Sequence, residues 1–288
     1  MSITRVNAGI PGLEKLIFEG IPEGSPVLVS GSPGTGKTLL GLQFLNHGIM
    51  NNEPGVYVTF EEPKESILTA SDNFGWKLRD NIATRKFDVM EYFELGNEAY
   101  ITEIDRLKRS LRDLEDKKRD LRNRGDFADE LELRMADYQN RIRQVEETIT
   151  HRRYSITQHE REEEFLERLY YIVTSMQAKR LVIDSLSAYA IYDESRESMH
   201  RFIRRVRDLK TTTILTSELP RNTHWLSHDG VSEFVCDGII VLSSEYLKDR
   251  NYRKIRVEKM RHTKINRTEK YLWFTDAGLD VKETPQEF

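Results

Sequence analysis

The apolar residues of the chain follow two patterns, of which the first is a series of short continuous runs. Runs rich in β-branched and aliphatic residues predict strands of a sheet buried on both faces. They occupy residues 26–30, 55–60, 180–184, 212–216 and 238–242. Two later runs, 254–260 and 270–275, alternate more regularly and predict antiparallel edge strands. Together with intervening helical segments, the runs predict an α/β domain with a mainly parallel central sheet flanked by helices.

The second pattern is a heptad repeat between about residues 101 and 165, interrupted by a turn-like segment at 123–126. Its seam positions are spaced three and four apart: Ile104, Leu107, Leu111, Leu114, Lys118 and Leu121, of which Lys118 alone is not apolar, then Leu131, Met135, Tyr138, Ile142, Val145 and Ile149. Two antiparallel helices are expected, each about 36 Å long at 1.5 Å per residue. We therefore predict a single domain over residues 1–288, interrupted at about 101–165 by an inserted coiled-coil hairpin.

Composition adds a large but balanced charge. The chain has 44 Lys and Arg and 48 Asp and Glu among 288 residues, for a net charge of −4. Of these, 32 lie in residues 101–165, as the solvated faces of the helices or as an arm that binds a protein partner. The balance argues against a dedicated duplex-binding module. The single cysteine, Cys236, excludes an intrachain disulfide and a cysteine zinc cluster. With no signal-peptide pattern and no apolar run of about 18 residues, we expect a cytoplasmic protein without a membrane span.

A glycine-rich segment supplies the first candidate chemistry. Residues 31–38 read GSPGTGKT, which matches the phosphate-binding loop pattern G-x-x-x-x-G-K-[ST] between a predicted strand and a predicted helix. Glycines allow backbone N–H groups to surround phosphates, and the helix N-terminus favours anions. Lys37 is expected to contact the β- and γ-phosphates of ATP, and Thr38 to hold Mg²⁺. The predicted nucleotide-binding residues are Ser32, Pro33, Gly34, Thr35, Gly36, Lys37, Thr38 and Leu39.

Carboxylates at two other strand ends complete the predicted site. Asp184 ends an apolar strand, as a Walker B aspartate does, and is expected to orient Mg²⁺ directly or through water. Ser185 follows it where many related ATPases place a catalytic glutamate. Glu61 and Glu62 stand after the strand at 55–60, and ligands bind beyond the carboxyl ends of parallel strands. One of the two is therefore the candidate general base. Thr216 ends another strand and is either a γ-phosphate sensor or part of a simple turn.

These motifs, in this order, resemble the KaiC family of RecA-like P-loop ATPases. The resemblance covers nearly all of the chain outside residues 101–165, and includes EPGVYVTFEEP, FGWKL, RLVIDSLSA and RKIRVEKMRHTK. It implies that Glu61 and Glu62 are paired catalytic glutamates. It also implies that Lys259 and Arg261 reach the nucleotide site of a neighbouring subunit, so that the active form is a homo-oligomeric ring, a hexamer, with ATP at its interfaces.

Two departures from the family pattern qualify the resemblance. His262 follows Arg261 where the family usually has glycine, which predicts a differently shaped loop. Glu233 and Phe234 occupy the position of a Ser–Thr pair in the clock protein's kinase domain, so an ATPase is expected in preference to an autokinase.

Three functions remain open from the residues. The first is slow ATP hydrolysis coupled to ring conformation or partner binding. The second is a RecA/RadA-like ATPase that binds single-stranded DNA, with the arginines of residues 201–207 as the candidate contact patch. The third is an ATP-switched signalling scaffold that uses the helical arm for output and has possible autokinase activity.

Overall fold

A computed structural model describes residues 3–92, 98–124, 129–155, 158–192, 195–219, 225–247 and 250–286. The chain divides into two compact units, which are considered separately. One combines Met1–Tyr92 with Leu166–Phe288, and the other is Phe93–Phe165.

The first unit is built on a nine-stranded sheet. Six neighbouring strands run parallel: β3 (Pro26–Gly31), β4 (Gly55–Thr59), β5 (Phe87–Glu91), β6 (Arg180–Asp184), β7 (Thr212–Glu218) and β8 (Gly238–Leu247). The sheet continues through antiparallel β9 (Arg250–Met260), β10 (Lys270–Thr275) and β11 (Gly278–Lys282). Its order is β11-β10-β9-β8-β3-β7-β6-β4-β5. Separate from it, β1 (Arg5–Val6) pairs with β2 (Ile21–Pro22).

The described α-helices lie between these strands along the chain or belong to the second unit. They are α1 (Lys37–Met50), α2 (Lys64–Asp72), α3 (Glu98–Arg124), α4 (Asp129–Ser155), α5 (Gln158–Met176), α6 (Leu186–Tyr192), α7 (Arg196–Asp208) and α8 (Ser232–Val235). Short 3-10 turns occur at Leu13–Lys15 and Arg79–Asn81. In α7 the Ser195 hydroxyl caps the first turn by accepting from the Ser198 N–H at 3.1 Å. Its apolar side chains at 199, 202, 203 and 206 are buried, as three–four spacing requires.

The central strands pack as the predicted two-sided core. The side chains of β3, β4 and β6 are buried along almost their whole length. Arg180, at the start of β6, is a charged residue within this core, and its side chain is only 2% exposed. It pairs with Glu53 at 2.6 Å, donates to the Phe44 carbonyl at 2.8 Å and lies 4.5 Å from the Phe44 ring centroid. These contacts compensate the burial of its charge.

The sequence analysis predicted the positions of the strands more accurately than the residues at which they begin and end. Every predicted strand is present, but β3, β7, β8 and β9 extend beyond the predicted bounds and β4 ends one residue earlier. Strands β5 and β11 were missed. Both are five residues long and carry acidic residues, so neither forms the continuous apolar run that identified the others.

In the second unit, α3 and α4 pack antiparallel. Of the residues predicted for the heptad seam, Ile104, Leu107, Leu114 and Ile142 are buried, and the others whose side chains are described are partly buried. The side chain of Ile149 lies outside the described part of the structure. Ion pairs join the helices, Lys118 with Glu132 at 2.5 Å, Lys108 with Glu146 at 3.7 Å and Arg141 with Glu103 at 3.7 Å. Residues 125–128, which include the end of the predicted turn, lie outside the described part of the chain.

Candidate nucleotide-binding site

The predicted phosphate-binding loop lies between β3 and α1. Gly34 has φ +77° and Gly36, which precedes α1, has φ +103°, both left-handed conformations that favour glycine. A Cβ atom at Gly36 would lie 2.7 Å from the Phe274 ring, so the position has no room for a larger residue. The buried Thr35 hydroxyl donates to the Ser32 carbonyl at 2.8 Å and tightens the loop. The loop thus has the backbone that its glycines predicted.

Lys37 begins α1 and turns back over the loop. Its ammonium donates to the carbonyls of Gly31 at 2.8 Å and Ser32 at 3.2 Å. Burial lowers the pKa of Lys37, whereas the negative charges of Glu218, Asp184 and Glu61 act in the opposite direction. The lysine therefore faces three carboxylates that come from three different strand ends.

Asp184, at the end of β6, is the centre of the hydroxyl contacts. Its Oδ2 accepts from the Thr38 hydroxyl at 2.8 Å and from the Tyr57 hydroxyl. Its Oδ1 accepts from the Thr216 hydroxyl. The strands β7, β6 and β4 are adjacent and parallel, so that Thr216, Asp184 and Tyr57 lie close to one another. The contact between Thr38 and Asp184 joins the two residues that the sequence predicted as a metal-binding pair.

The two candidate glutamates have different surroundings. Glu61 accepts from the Ser185 hydroxyl at 3.1 Å, next to Asp184, and its charge acts on Lys37. The Glu62 carboxylate accepts from Ser66 of α2 at 2.5 Å. Both are exposed. Of the pair, Glu61 is oriented toward the loop, and Glu62 toward the helix that follows.

Lys259 and Arg261 lie toward the amino end of the parallel strands, away from the phosphate-binding loop. Lys259 pairs with Ile239 of β8, which is level with Leu28, whereas the loop begins at Gly31. Three strand residues correspond to about 10 Å. The Lys259 ammonium donates to the Cys236 carbonyl at 2.7 Å, and the Arg261 guanidinium pairs with Asp237 at 3.0 Å. Within one chain they are not brought together with the rest of the predicted site.

His262, the departure from the family pattern, has φ +56°. This left-handed conformation is the one that glycine adopts most easily, although histidine tolerates it better than most residues. At position 262, the backbone of the turn after Arg261 therefore has a conformation that glycine could also adopt.

Three residues near the phosphate-binding loop were not predicted from the sequence. Tyr57 was overlooked as a contact of Asp184, although a tyrosine in a fully buried strand usually finds a partner for its hydroxyl. Arg253 of β9 donates to the Gly34 carbonyl at 3.2 Å, and its guanidinium lies 4.1 Å from the Phe274 centroid. No motif marks Arg253 or Phe274, since their proximity depends on how β9 and β10 join the sheet.

The candidate DNA-binding patch on α7 is only partly available. Phe202 is fully buried and stacks on Tyr189, so its ring does not face solvent. Arg207 pairs with Asp237 at 3.0 Å and donates to the Val235 carbonyl at 2.7 Å. Arg204 and Arg205 are exposed. The aromatic residue that a single strand would stack on is thus part of the core.

The donor set at Thr38 and Asp184 fits a magnesium ion. Both residues offer oxygen atoms, which Mg²⁺ prefers, and it commonly binds one or two protein oxygens together with water and phosphate oxygens. A bound Mg²⁺ would neutralise charge on the phosphates. Thr38 and Asp184 are the residues that would hold it.

A parallel sheet with this loop at the carboxyl end of β3 and a carboxylate at the end of β6 defines a RecA-like P-loop nucleotide-binding fold. The chain belongs to the KaiC ATPase family, whose model matches residues 6–124 and 114–286. This membership supports ATP binding by the P-loop. In the described residues, no helix combines the length and the apolar character that crossing a membrane requires.

Individual relatives agree with the family assignment. The UPF0273 protein of Sulfurisphaera tokodaii is 27% identical over 98% of this chain and 83% of its own length. The circadian clock oscillator protein KaiC of Acaryochloris marina is also 27% identical, and the chain spans 44% of it. Among solved structures, the KaiC-like protein of Pyrococcus horikoshii has a TM-score of 0.70 at 26% identity, over 98% of this chain and 100% of that one.

Proposed function

We propose that the protein is a Mg²⁺-dependent ATPase that acts as a homo-oligomeric ring, a hexamer, with its nucleotide cycle coupled to ring conformation or partner binding. The observation that carries the proposal is the contact between the Thr38 hydroxyl and the Asp184 carboxylate at 2.8 Å, beside Lys37 and Glu61. This contact supports a site in which groups for phosphate binding, metal binding and proton transfer would lie together at the carboxyl end of the parallel strands. The KaiC family membership supports the same activity.

In the proposed reaction, water attacks the γ-phosphorus as the bond to the β–γ bridging oxygen breaks. Glu61 takes the proton of the attacking water, while Lys37 stabilises the negative charge that develops on the phosphate oxygens. Ser185 positions Glu61 through its hydroxyl hydrogen bond at 3.1 Å. Glu62 has the lesser part, because its hydrogen bond with Ser66 directs its carboxylate toward α2, whereas the charge of Glu61 acts on Lys37.

Lys259 and Arg261 complete the site from a neighbouring subunit in this proposal. Since they lie toward the amino end of the parallel strands in their own chain, a nucleotide they contact must be bound by another chain. Their positive charges would stabilise the transition state as an arginine finger does. A ring of like interfaces gives every chain one complete site.

We further propose that residues 1–288 form one ATPase domain and that the helices of the second unit are an inserted antiparallel coiled coil, available to a protein partner. The seam burial and the three ion pairs between α3 and α4 support this assignment.

The first measurement compares ATP turnover of the wild-type protein with that of the Glu61→Gln and Glu62→Gln variants. The second determines the particle size of the wild-type protein with and without ATP and Mg²⁺. Loss of the general base should lower turnover about 10²–10⁴-fold in Glu61→Gln. Glu62→Gln, which has the same change of charge, is the matched control and should lose less than about tenfold. Undiminished turnover in a variant carrying both changes, or a particle that stays monomeric with ATP, contradicts the proposal.

A further inference from the structure

The turn that follows Arg261 is held by an arginine from the other end of the chain. We propose that Arg5 is a positioning residue, which sets the turn of residues 261–263 so that Lys259 and Arg261 can serve a neighbouring subunit's site. The inference rests on the proposed function and assigns one further residue to it.

Two contacts of the Arg5 guanidinium carry the inference. Its Nη1 donates to the Thr263 hydroxyl oxygen, and its Nη2 donates to the His262 carbonyl at 2.5 Å. The Thr263 hydroxyl in turn donates to the Arg261 carbonyl at 3.2 Å. A continuous path of hydrogen bonds therefore runs from Arg5 of β1 to the backbone of Arg261.

The held turn has an unfavourable backbone. His262 has φ +56°, a left-handed conformation that is uncommon for residues other than glycine, although histidine adopts it more often than most. Arg5 donates to the carbonyl of this same residue, so the contact fixes the orientation of the peptide that follows it. A guanidinium suits the task because its planar fork can engage two acceptors at once, whereas a lysine ammonium lacks that geometry.

Backbone contacts continue the attachment beyond the turn. The Phe18 N–H donates to the Lys264 carbonyl at 3.2 Å, and the Asn266 N–H donates to the Leu16 carbonyl at 2.9 Å. Ile17 forms a bridge with Ile265 between these two bonds. The N-terminal segment thus backs residues 264–266 through the main chain, and Arg5 is the side chain that extends this support to the turn.

The position of Arg261 explains why such support matters. Arg261 is exposed and pairs with Asp237 of its own chain at 3.0 Å, a contact that Arg207 shares at 3.0 Å. An exposed side chain on an unsupported turn samples many orientations. A misplacement of about 1 Å can reduce a catalytic rate about 10²-fold. Fixing the backbone beneath Arg261 therefore favours productive contact with a nucleotide across an interface.

The first test measures ATP turnover of Arg5→Ala and Arg5→Lys. Turnover of Arg5→Ala should fall about 10–100-fold with little change in KM, because the P-loop of the same chain is intact. Arg5→Lys should recover part of the loss. Arg85→Ala, which removes an exposed arginine just before β5, the strand at one edge of the nine-stranded sheet, is the control and should match wild type. Wild-type turnover in Arg5→Ala overturns the inference.

The second test separates positioning across an interface from a defect within the chain. Arg5→Ala is mixed with a Glu61→Gln/Glu62→Gln variant, which has an intact Arg5 but no base. With random mixing, about a quarter of the interfaces combine an intact base with an intact turn, because each site takes its two halves from different chains. Turnover should rise well above that of either protein alone. Failure to rise assigns the Arg5 defect to its own chain and overturns the inference.

Two further variants keep the test decisive if Arg5→Ala folds poorly. Thr263→Val removes the hydroxyl acceptor and should lower turnover in the same direction. Combining either change with Lys259→Ala/Arg261→Ala should add little, since the turn then presents nothing to position. Full additivity overturns the inference. These outcomes are distinct from failure of the proposed function itself, in which the wild-type protein would show no turnover sensitive to Glu61→Gln.

Discussion

Tyr57 offers the sharpest test of how Asp184 is held. Its side chain is fully buried in β4, and its hydroxyl donates to Asp184 Oδ2 beside the Thr38 hydroxyl. Burial, and secondarily the charge of Asp184, raise the pKa of Tyr57 well above its ordinary range. The phenol therefore remains protonated and acts as a constant donor to the carboxylate.

Tyr57→Phe removes this donor and leaves the ring in place. A hydrogen bond to a charged group contributes about 1.5–3 kcal/mol net. We expect about 1.5 kcal/mol, the lower end, because Thr38 and Thr216 continue to donate to Asp184 and because Asp184 is only half-buried. For a unit of this size the loss corresponds to a fall in Tm of about 3–6 °C. Less constraint on Asp184 should also raise the Mg²⁺ concentration needed for half-maximal ATP turnover.

Thermal unfolding and ATP turnover titrated with Mg²⁺ measure the two effects. Tyr171→Phe is the matched control, because the Tyr171 side chain is exposed and loss of its hydroxyl should change neither quantity. If Tyr57→Phe unfolds at the wild-type temperature and has the wild-type Mg²⁺ dependence, the tyrosine hydroxyl does not hold Asp184 and the reasoning is wrong.

Two other positions give stability predictions. Glu53→Gln removes the charge that pairs with Arg180, and we expect a loss of about 2–3 kcal/mol in urea unfolding. This is below the 3–5 kcal/mol of a fully buried pair, because Glu53 is 35% exposed; an unchanged urea midpoint would contradict it. At His262, His262→Gly should be at least as stable as wild type, whereas the β-branched His262→Val should lose about 1–2 kcal/mol because of the left-handed backbone. The reverse order in thermal unfolding would refute this explanation.

The parts of the site that depend on residues adjacent in the chain could be predicted from the sequence. The P-loop is an unbroken segment, and its glycines have the left-handed conformations that the motif requires at 34 and 36. Asp184 was recognisable because a buried strand ends at it. The positions of strand ends along the sequence predicted that Asp184, Glu61 and the loop would lie at the same end of the sheet. The observed order, β3-β7-β6-β4, agrees with this prediction.

Other contacts could not be predicted because they depend on register or on distant parts of the chain. In a strand buried on both faces, the apolar pattern does not reveal which face Tyr57 occupies, so its contact with Asp184 had no local signal. The bond between Arg5 and Thr263 joins residues 258 positions apart. The separation of Lys259 from the loop became visible only through the pairing of β9 with β8.

In the proposed mechanism, the pairing of β9 with β8 would link hydrolysis to assembly. Lys259 donates to carbonyls around Cys236, which precede β8 at the amino end of the parallel strands, whereas phosphates bind at the carboxyl end. A lysine side chain cannot span this separation while its backbone stays paired in β9. If Lys259 and Arg261 act on a nucleotide, that nucleotide is bound by another chain. A monomer then contains the P-loop part of one site and the Lys259 and Arg261 part of another. Catalysis would then depend on protein concentration, and a partner that alters the interface would alter turnover without approaching the P-loop.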